Sequence, residues 1–449
     1  MNILDSFPKL NSEKITAVYN YRDFSFVIEN NKIRTTNKIL SNLIWILYKN
    51  SNKKLSIKNL LDLIYEDKTW NRNRIELEHF FRKLYNDKFF VDIGYPCNNH
   101  IKIYDNSKEL WPIHISFETT NKCNFKCFFC YNDFSQQEKE MNLSEIENVF
   151  TKLRKHGLLS VELTGGELFT RSDAFEIIDI VYSNVSNFFI LTNGYFLNKE
   201  VVERLKMYRK KLSAIGISFH SADKNIFEKI TRKKGSYEKI IHAIKLLKKE
   251  NDFIVRIACP VINQSYDELE EMCKLLRNLK VDLVQFGINM LPEFIISKEF
   301  IKKKIVLNNH IEKLHRIYPE LNMEAYEFGE ETKSIVNIIA CGAFSKNLVI
   351  TPSGNAKPCA YFPENSIFNI GKLNNYNLSS RKIHLLKKFI VGNHLINNVE
   401  INKICESCDS YEICGHCFYV RSLLNNDKNR CLLTKRYGFQ FEQELKRVK

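Results

Sequence analysis

The 449-residue chain is marked first by what it does not contain. No stretch reaches the roughly 18 to 20 uninterrupted apolar residues that a membrane-spanning helix needs. Met1 to Leu10 lacks a basic segment followed by an apolar run, so no export signal is expected either. Internal repeats and low-complexity tracts are absent, which excludes solenoids and fibrous arrays. With 44% hydrophobic and 27% charged residues, disorder is excluded as the default and two or three domains with proper cores are expected. The expected compartment is the cytoplasm, where thiols stay reduced. Thirteen cysteines there point to metal, either redox-active or structural zinc, rather than to disulfides. The formal charge of +15 suits an acidic partner, but lysine is spread along the whole chain, and a solvated basic surface accounts for it.

Residues 15 to 35 alternate as two or three short strands, with Asn30 and Asn31 as turn residues. Three helical stretches follow, with Ile39, Leu40, Leu43, Ile44 and Leu47 on one face of the first. Leu60, Leu61 and Ile64 share a face of the second, and Leu77, Phe80, Phe81 and Leu84 a face of the third. This predicts a compact winged-helix-like domain over 1–94. Residues 95–110, with Pro96 and several asparagines, read as a linker.

From Trp111 the pattern changes. Strand-like runs at 113–119, 159–164, 188–192, 214–219, 254–258 and 283–288 are each separated by an apolar-periodic helix. Ser144 and Glu147 read as a capping box opening the first of these helices. Repeated strand–helix units imply parallel strands with right-handed crossovers. The α/β fold expected over 111–330 is therefore a partial (β/α)6 barrel, with its chemistry at the carboxyl ends of the strands. Over 331–449 the alternation stops, cysteines concentrate, and folding around metal is expected.

Cys123, Cys127 and Cys130 stand just after the first barrel strand, on a strand-to-helix loop at the catalytic rim. Three thiolates without a nearby fourth ligand make a poor structural zinc site. They suit a four-iron cluster with one iron left open to a small molecule. The second strand ends in Thr164-Gly165-Gly166-Glu167, where paired glycines allow close backbone approach and a carboxylate can accept bonds from an ammonium group. Cys97, Cys259 and Cys273 read as buried small hydrophobes.

The Cys-x3-Cys-x2-Cys motif, with aromatic Phe129 before its last cysteine, resembles the radical S-adenosylmethionine (SAM) superfamily. The resemblance implies a SAM-binding [4Fe-4S] cluster, reductive cleavage of SAM and hydrogen abstraction from a substrate. It also implies a SAM site that includes Gly165, Gly166, Glu167 and Asn193, with Ser218 against the ribose and Arg232 facing the SAM carboxylate. Where many relatives read Ser-Leu-Asp-Gly, this chain reads Ser218-Phe219-His220-Ser221, which leaves the role of His220 open. Cys341, Cys359, Cys405, Cys408, Cys414, Cys417 and Cys431 resemble the Cys-rich SPASM extension, which carries two auxiliary [4Fe-4S] clusters. By that resemblance Cys405, Cys408, Cys414 and Cys431 hold one cluster and Cys341, Cys359 and Cys417 the other, which would leave an iron open to a substrate thiolate.

The amino-terminal unit resembles the precursor-recognition element of peptide-modifying enzymes, in which a leader peptide adds a strand near Ile33 to Asn37 and packs on the helix near Arg72 to Asn86. Taken together, the chain is similar to sactipeptide synthases, which join a cysteine sulfur to the alpha carbon of another residue. A precursor peptide and a flavodoxin- or ferredoxin-like electron donor are the implied partners. Other peptide chemistries stay open: beta or gamma thioethers, carbon–carbon cross-links and epimerisation. Sulfatase maturation is disfavoured because Ala360 stands where those enzymes carry Asp. The non-enzyme alternative, a zinc-containing DNA-binding protein, predicts a colourless protein with salt-sensitive DNA affinity.

Overall fold

A computed structural model describes residues 8–20, 25–30, 32–36, 38–49, 55–66, 74–92, 101–105, 111–130, 139–249, 252–261, 264, 266–288, 298–325, 348–360, 362 and 369–373. These fall into two compact units, one within 1–110 and one from Trp111 onward.

In the first unit, β2 (Ile15–Asn20), β3 (Ser25–Glu29) and β4 (Lys32–Thr36) form an antiparallel meander. Asn30 makes the tight turn at φ 49°, a left-handed conformation that Asn tolerates. Helices α1 (Lys38–Lys49), α2 (Ile57–Glu66) and α3 (Arg74–Asn86) follow where the apolar periodicity predicts them. Their buried residues Leu40, Leu43, Ile44, Leu60, Leu61, Phe81 and Leu84 close on Ile15, Val18 and Val27 of the sheet. β1 (Pro8–Leu10) pairs with β5 (Phe90–Asp92) beside this core.

The expected linker is not featureless. β6 (Lys102–Asp105) pairs parallel with β2, giving the sheet order β4-β3-β2-β6. Tyr104 stacks on Tyr19 with ring centroids 4.8 Å apart. Four residues carry too short a pattern to read, and a tertiary partner 85 positions earlier in sequence decides the matter.

In the second unit all six expected strands appear in chain order: β7 (His114–Glu118), β8 (Ser160–Thr164), β9 (Asn187–Thr192), β10 (Leu212–Ser218), β11 (Val255–Val261) and β12 (Leu283–Ile288). Each pairs parallel with the next. The crossovers carry α4 (Leu143–Lys155), α5 (Ala174–Asn184), α6 (Lys199–Leu205), α7 (Lys224–Thr231), α8 (Ser236–Lys248) and α9 (Tyr266–Asn278). A seventh parallel strand, β13 (Asn322–Ala325), follows α10 (Lys298–Ile317). α4 begins earlier than its expected capping box: Asn142 is the N-cap, and Glu145 closes the box reciprocally at 2.9 Å. The same three-residue spacing recurs two positions upstream of Ser144, and Asn caps as well as Ser does.

One face of the sheet presents Ile115, Phe117, Val161, Leu163, Phe188, Ile190, Ile215, Ile217, Val255 and Ile257, all buried. Phe117 meets Phe150 of α4 edge to face. The opposite face is mixed, with Phe189 and Leu191 beside polar and charged residues. Ser116 Oγ donates to Glu162, and Arg256 Nη2 comes within 3.7 Å of the same carboxylate. Strands β8 and β11 are separated by β9 and β10, so this contact requires the sheet to curl into an open barrel.

The residues beyond 331 do not stand wholly apart. β14 (Leu348–Ile350) adds parallel to β7, and β15 (Asn355–Lys357) and β16 (Gly371–Lys372) continue the same sheet antiparallel. Among the described residues no helix is long and apolar enough to cross a membrane.

His114, on β7, gives a pH-dependent stability. Burial holds its imidazole at about 4, below the ordinary 6.5, beside Ser160 Oγ at 2.7 Å. Between those values the unfolded chain binds more protons than the folded one. The contribution is whole above pH 6.5 and is lost as pH falls through 4, amounting to roughly 3 kcal/mol. Thermal unfolding followed from pH 7 to 4.5 is expected to show a smaller loss of Tm in His114→Asn than in the wild type, and equal slopes would refute this.

Candidate active site

The loop after β7 carries Cys123, Cys127 and Cys130 at the carboxyl end of the barrel, as expected. Burial first, then the charges of the neighbouring thiols, pushes Cys127 up to about 12, and Arg232 opposes this. Cys123 is raised too, by burial above all. Metal binding would replace those protons. Among the described residues no three His, Cys, Asp or Glu side chains are already closed around a common metal position. The donor chemistry nevertheless fits an iron–sulfur cluster, because Cys123 Sγ already receives N–H groups from Phe125 (3.4 Å) and Asn193 Nδ2 (3.8 Å). N–H···S bonds of this kind hold and tune cluster thiolates.

The loop is braced from three sides. Lys126 N–H bonds to Thr231 O at the end of α7, just before Arg232, whose φ of 53° ends that helix. Asn193 Nδ2 also donates to Asn124 Oδ1 at 2.7 Å. Arg171 donates to Thr119 O and Met141 O and pairs with Asp173, while Glu140 accepts from Thr120 Oγ1 and Asn121 N–H. Neither Arg171 nor Glu140 is legible as a site residue in sequence. A single arginine after a turn has no motif, and its role exists only through carbonyls 30 and 52 positions away.

Gly165 and Gly166 approach the backbone of the cysteine loop closely. Gly165, at φ 112°, would place a Cβ 2.8 Å from Thr120 O, and a Cβ on Gly166 would overlap the Lys122 carbonyl. Bonds from Gly166 N–H to Thr120 O and from Glu167 N–H to Lys122 O zip the end of β8 to the cysteine loop.

Glu167 is fully buried, and its carboxylate accepts from Thr192 Oγ1 (2.8 Å), Asn193 N–H (2.7 Å) and Phe169 N–H (3.2 Å). Burial raises it to about 6, and those bonds oppose the rise. The side chain expected to meet an ammonium group is thus largely occupied in tying the end of β8 to the end of β9. Ser218 closes β10, half-buried and paired with Ala258 on β11. Phe129 lies edge to face with His220 at 5.1 Å.

Of the second cysteine group, Cys359 is described. It follows β15, and Lys357 links its loop to the barrel by pairing with buried Glu118 at 3.8 Å and reaching Ala360 O at 3.4 Å. Cys341, Cys405, Cys408, Cys414, Cys417 and Cys431, with Cys97, lie outside the described residues. Cys259 and Cys273 are buried against Met272 and Met323 respectively, the small-hydrophobe role expected of them.

Residues 117–276 match the family model described as the radical SAM superfamily. The chain is 28% identical over 362 residues to the antilisterial bacteriocin subtilosin biosynthesis protein AlbA of Bacillus subtilis, covering 77% of this chain and 75% of that protein. It is also 28% identical over 264 residues to a probable GTP 3',8-cyclase of Saccharolobus solfataricus, covering 55% of this chain and 82% of that one. The fold resembles crystal structures of Streptococcus suis SuiB. The form bound to S-adenosylmethionine gives a TM-score of 0.60 at 15% identity, over 92% of this chain and 96% of that one. The form bound to precursor peptide SuiA gives 0.59 at 16% identity over the same shares.

Proposed function

We infer that this chain, with its radical SAM domain at residues 117–276, is a cytoplasmic radical SAM enzyme that modifies a ribosomally made precursor peptide, forming thioethers from cysteine sulfur to alpha carbon. The observation that carries the reading is the three-cysteine loop zipped to the Gly165-Gly166-Glu167 strand end at the mouth of the barrel. Likeness to a bacteriocin biosynthesis protein over most of the chain supplies the substrate class.

When bound, SAM and a [4Fe-4S] cluster supply a 5′-deoxyadenosyl radical that removes a substrate hydrogen atom. In this reading Cys123, Cys127 and Cys130 hold the iron. Asn193 and Phe125 stabilise the Cys123 thiolate by N–H···S bonds. Gly165, Gly166, Asn193, Ser218 and Phe129 border the SAM site, Arg232, whose charge lies beside Cys127, faces the SAM carboxylate, and Glu167, held by Asn193 N–H, meets the SAM ammonium. Each thioether requires loss of one hydrogen atom from the acceptor carbon, one proton from the thiol and one electron. Cys359, with Cys341 and Cys417, and the set Cys405, Cys408, Cys414 and Cys431 are the proposed ligands of two auxiliary clusters able to take that electron. Phe128, 53% exposed between two loop cysteines, offers an apolar contact for a flavodoxin- or ferredoxin-like donor.

At the amino-terminal unit, β4 ends its sheet among the described residues, and in this reading a leader strand adds along that edge and packs on α3.

The test is anaerobic reaction of the reconstituted protein with SAM, a strong reductant and the cognate precursor. Expected are 5′-deoxyadenosine and a loss of about two mass units per thioether, absent when the precursor cysteines are replaced by Ala. A modified peptide whose mass change survives that replacement would sink the thioether assignment.

A further inference from the structure

A polar atom buried without a hydrogen bond costs about 1–3 kcal/mol, so one kept at the edge of a site implies a partner that arrives later. Nδ1 of His220 is such an atom. The residue is 3% exposed, and no described group bonds that nitrogen. Its ring is pinned edge to face by Phe129 and stacked on Phe227 at 5.6 Å, and its carbonyl accepts from Gln264 Nε2. Phe129 stands between Cys127 and Cys130, and Ser218 lies two residues before His220, at the end of β10. The imidazole therefore sits where the cysteine loop and the strand end meet.

Burial holds the ring at about 4, so it is neutral near pH 7. A neutral imidazole offers one donor and one acceptor and no charge. Such a group among aromatic rings suits a neutral polar edge and a flat apolar face, which are the features of a nucleoside. The ammonium and carboxylate of an amino acid suit it poorly.

We propose that His220 Nδ1 hydrogen-bonds the nucleoside half of SAM, so that this buried nitrogen is satisfied only in the loaded enzyme. The proposal rests on the radical SAM reading. His220→Phe keeps both ring contacts and removes the nitrogen, while His220→Asn keeps an amide near the Nδ1 position and gives up the rings. The anaerobically reconstituted wild type is measured first for iron and for SAM affinity. A wild type that binds no SAM sinks the radical SAM reading and this proposal with it.

With SAM bound by the wild type, His220→Phe is expected to retain its iron and, before SAM is added, to have a Tm at least as high as that of the wild type. Its affinity for SAM, and equally for 5′-methylthioadenosine, which lacks the amino-acid end, should fall ~5- to 150-fold. His220→Asn should be less stable yet bind SAM within ~3-fold of wild type. A merely structural histidine would make affinity follow stability through both variants. Unchanged SAM affinity in His220→Phe, or a loss seen with SAM and not with 5′-methylthioadenosine, overturns the proposal while leaving the radical SAM reading intact.

Discussion

Cys127→Ala is expected to leave a folded protein that no longer cleaves SAM, with turnover down at least ~10⁴-fold and about four fewer irons per chain. The loop itself survives the change. It is held by Lys126 N–H to Thr231 O, by the side-chain bond from Asn193 to Asn124 and by the Arg171 bonds, none of which uses the Cys127 sulfur. What disappears is one of the three proposed ligands, and two thiolates cannot retain a cluster that must also present an open iron. The matched control is Cys259→Ala. That thiol is 1% exposed against Met272, and its loss costs packing alone, about 1 kcal/mol, with no change in iron. Iron counted on the purified, reconstituted variants separates the two. Full iron and full SAM cleavage in Cys127→Ala would remove the site from this loop.

Much of this architecture is legible in the sequence because its signals are long. Six strands bury alternate or continuous apolar residues over five to seven positions, and helices of ten or more carry a full apolar stripe. The cysteine loop is legible because thiolate spacing is itself the chemistry. Short elements are not: β6, β15 and β16 span four, three and two residues, and each exists because a neighbouring strand supplies the pairing. The rim is legible in identity and not in role. Gly165, Gly166 and Glu167 are named by their motif, yet what they do depends on Thr120, Lys122, Thr192 and Asn193, which no local pattern connects to them. Arg171 is less legible still, since no motif marks it and the carbonyls it gathers are not visible in sequence.

Gly166→Ala follows from that distinction and tests it. Gly166 has an ordinary φ, so only space forbids a side chain, and the obstacle is the Lys122 carbonyl, which is backbone and cannot swing aside. The same carbonyl accepts Glu167 N–H, and Gly166 N–H is itself bonded to Thr120 O, so an added methyl must push the end of β8 away from the cysteine loop and strain both bonds. Lys122 directly precedes Cys123, so the displacement passes to the first proposed ligand. A misplacement of ~1 Å in a reacting constellation costs about 10²-fold in rate. Gly166→Ala is therefore expected to lose at least that much SAM cleavage, with SAM affinity falling alongside it, while far-UV circular dichroism stays that of the wild type. Gly235→Ala is the counterweight. At φ 73° with nothing within 4 Å of the added Cβ, it carries conformational strain of roughly 1–2 kcal/mol and no steric conflict, so it should lower Tm and leave SAM affinity unchanged. If Gly166→Ala instead behaves like Gly235→Ala, the contact between β8 and the cysteine loop is packing without consequence for the chemistry, and the rim must be held by its other bonds, those of Glu167 to Thr192 and Asn193 and of Arg171 to Thr119 O among them.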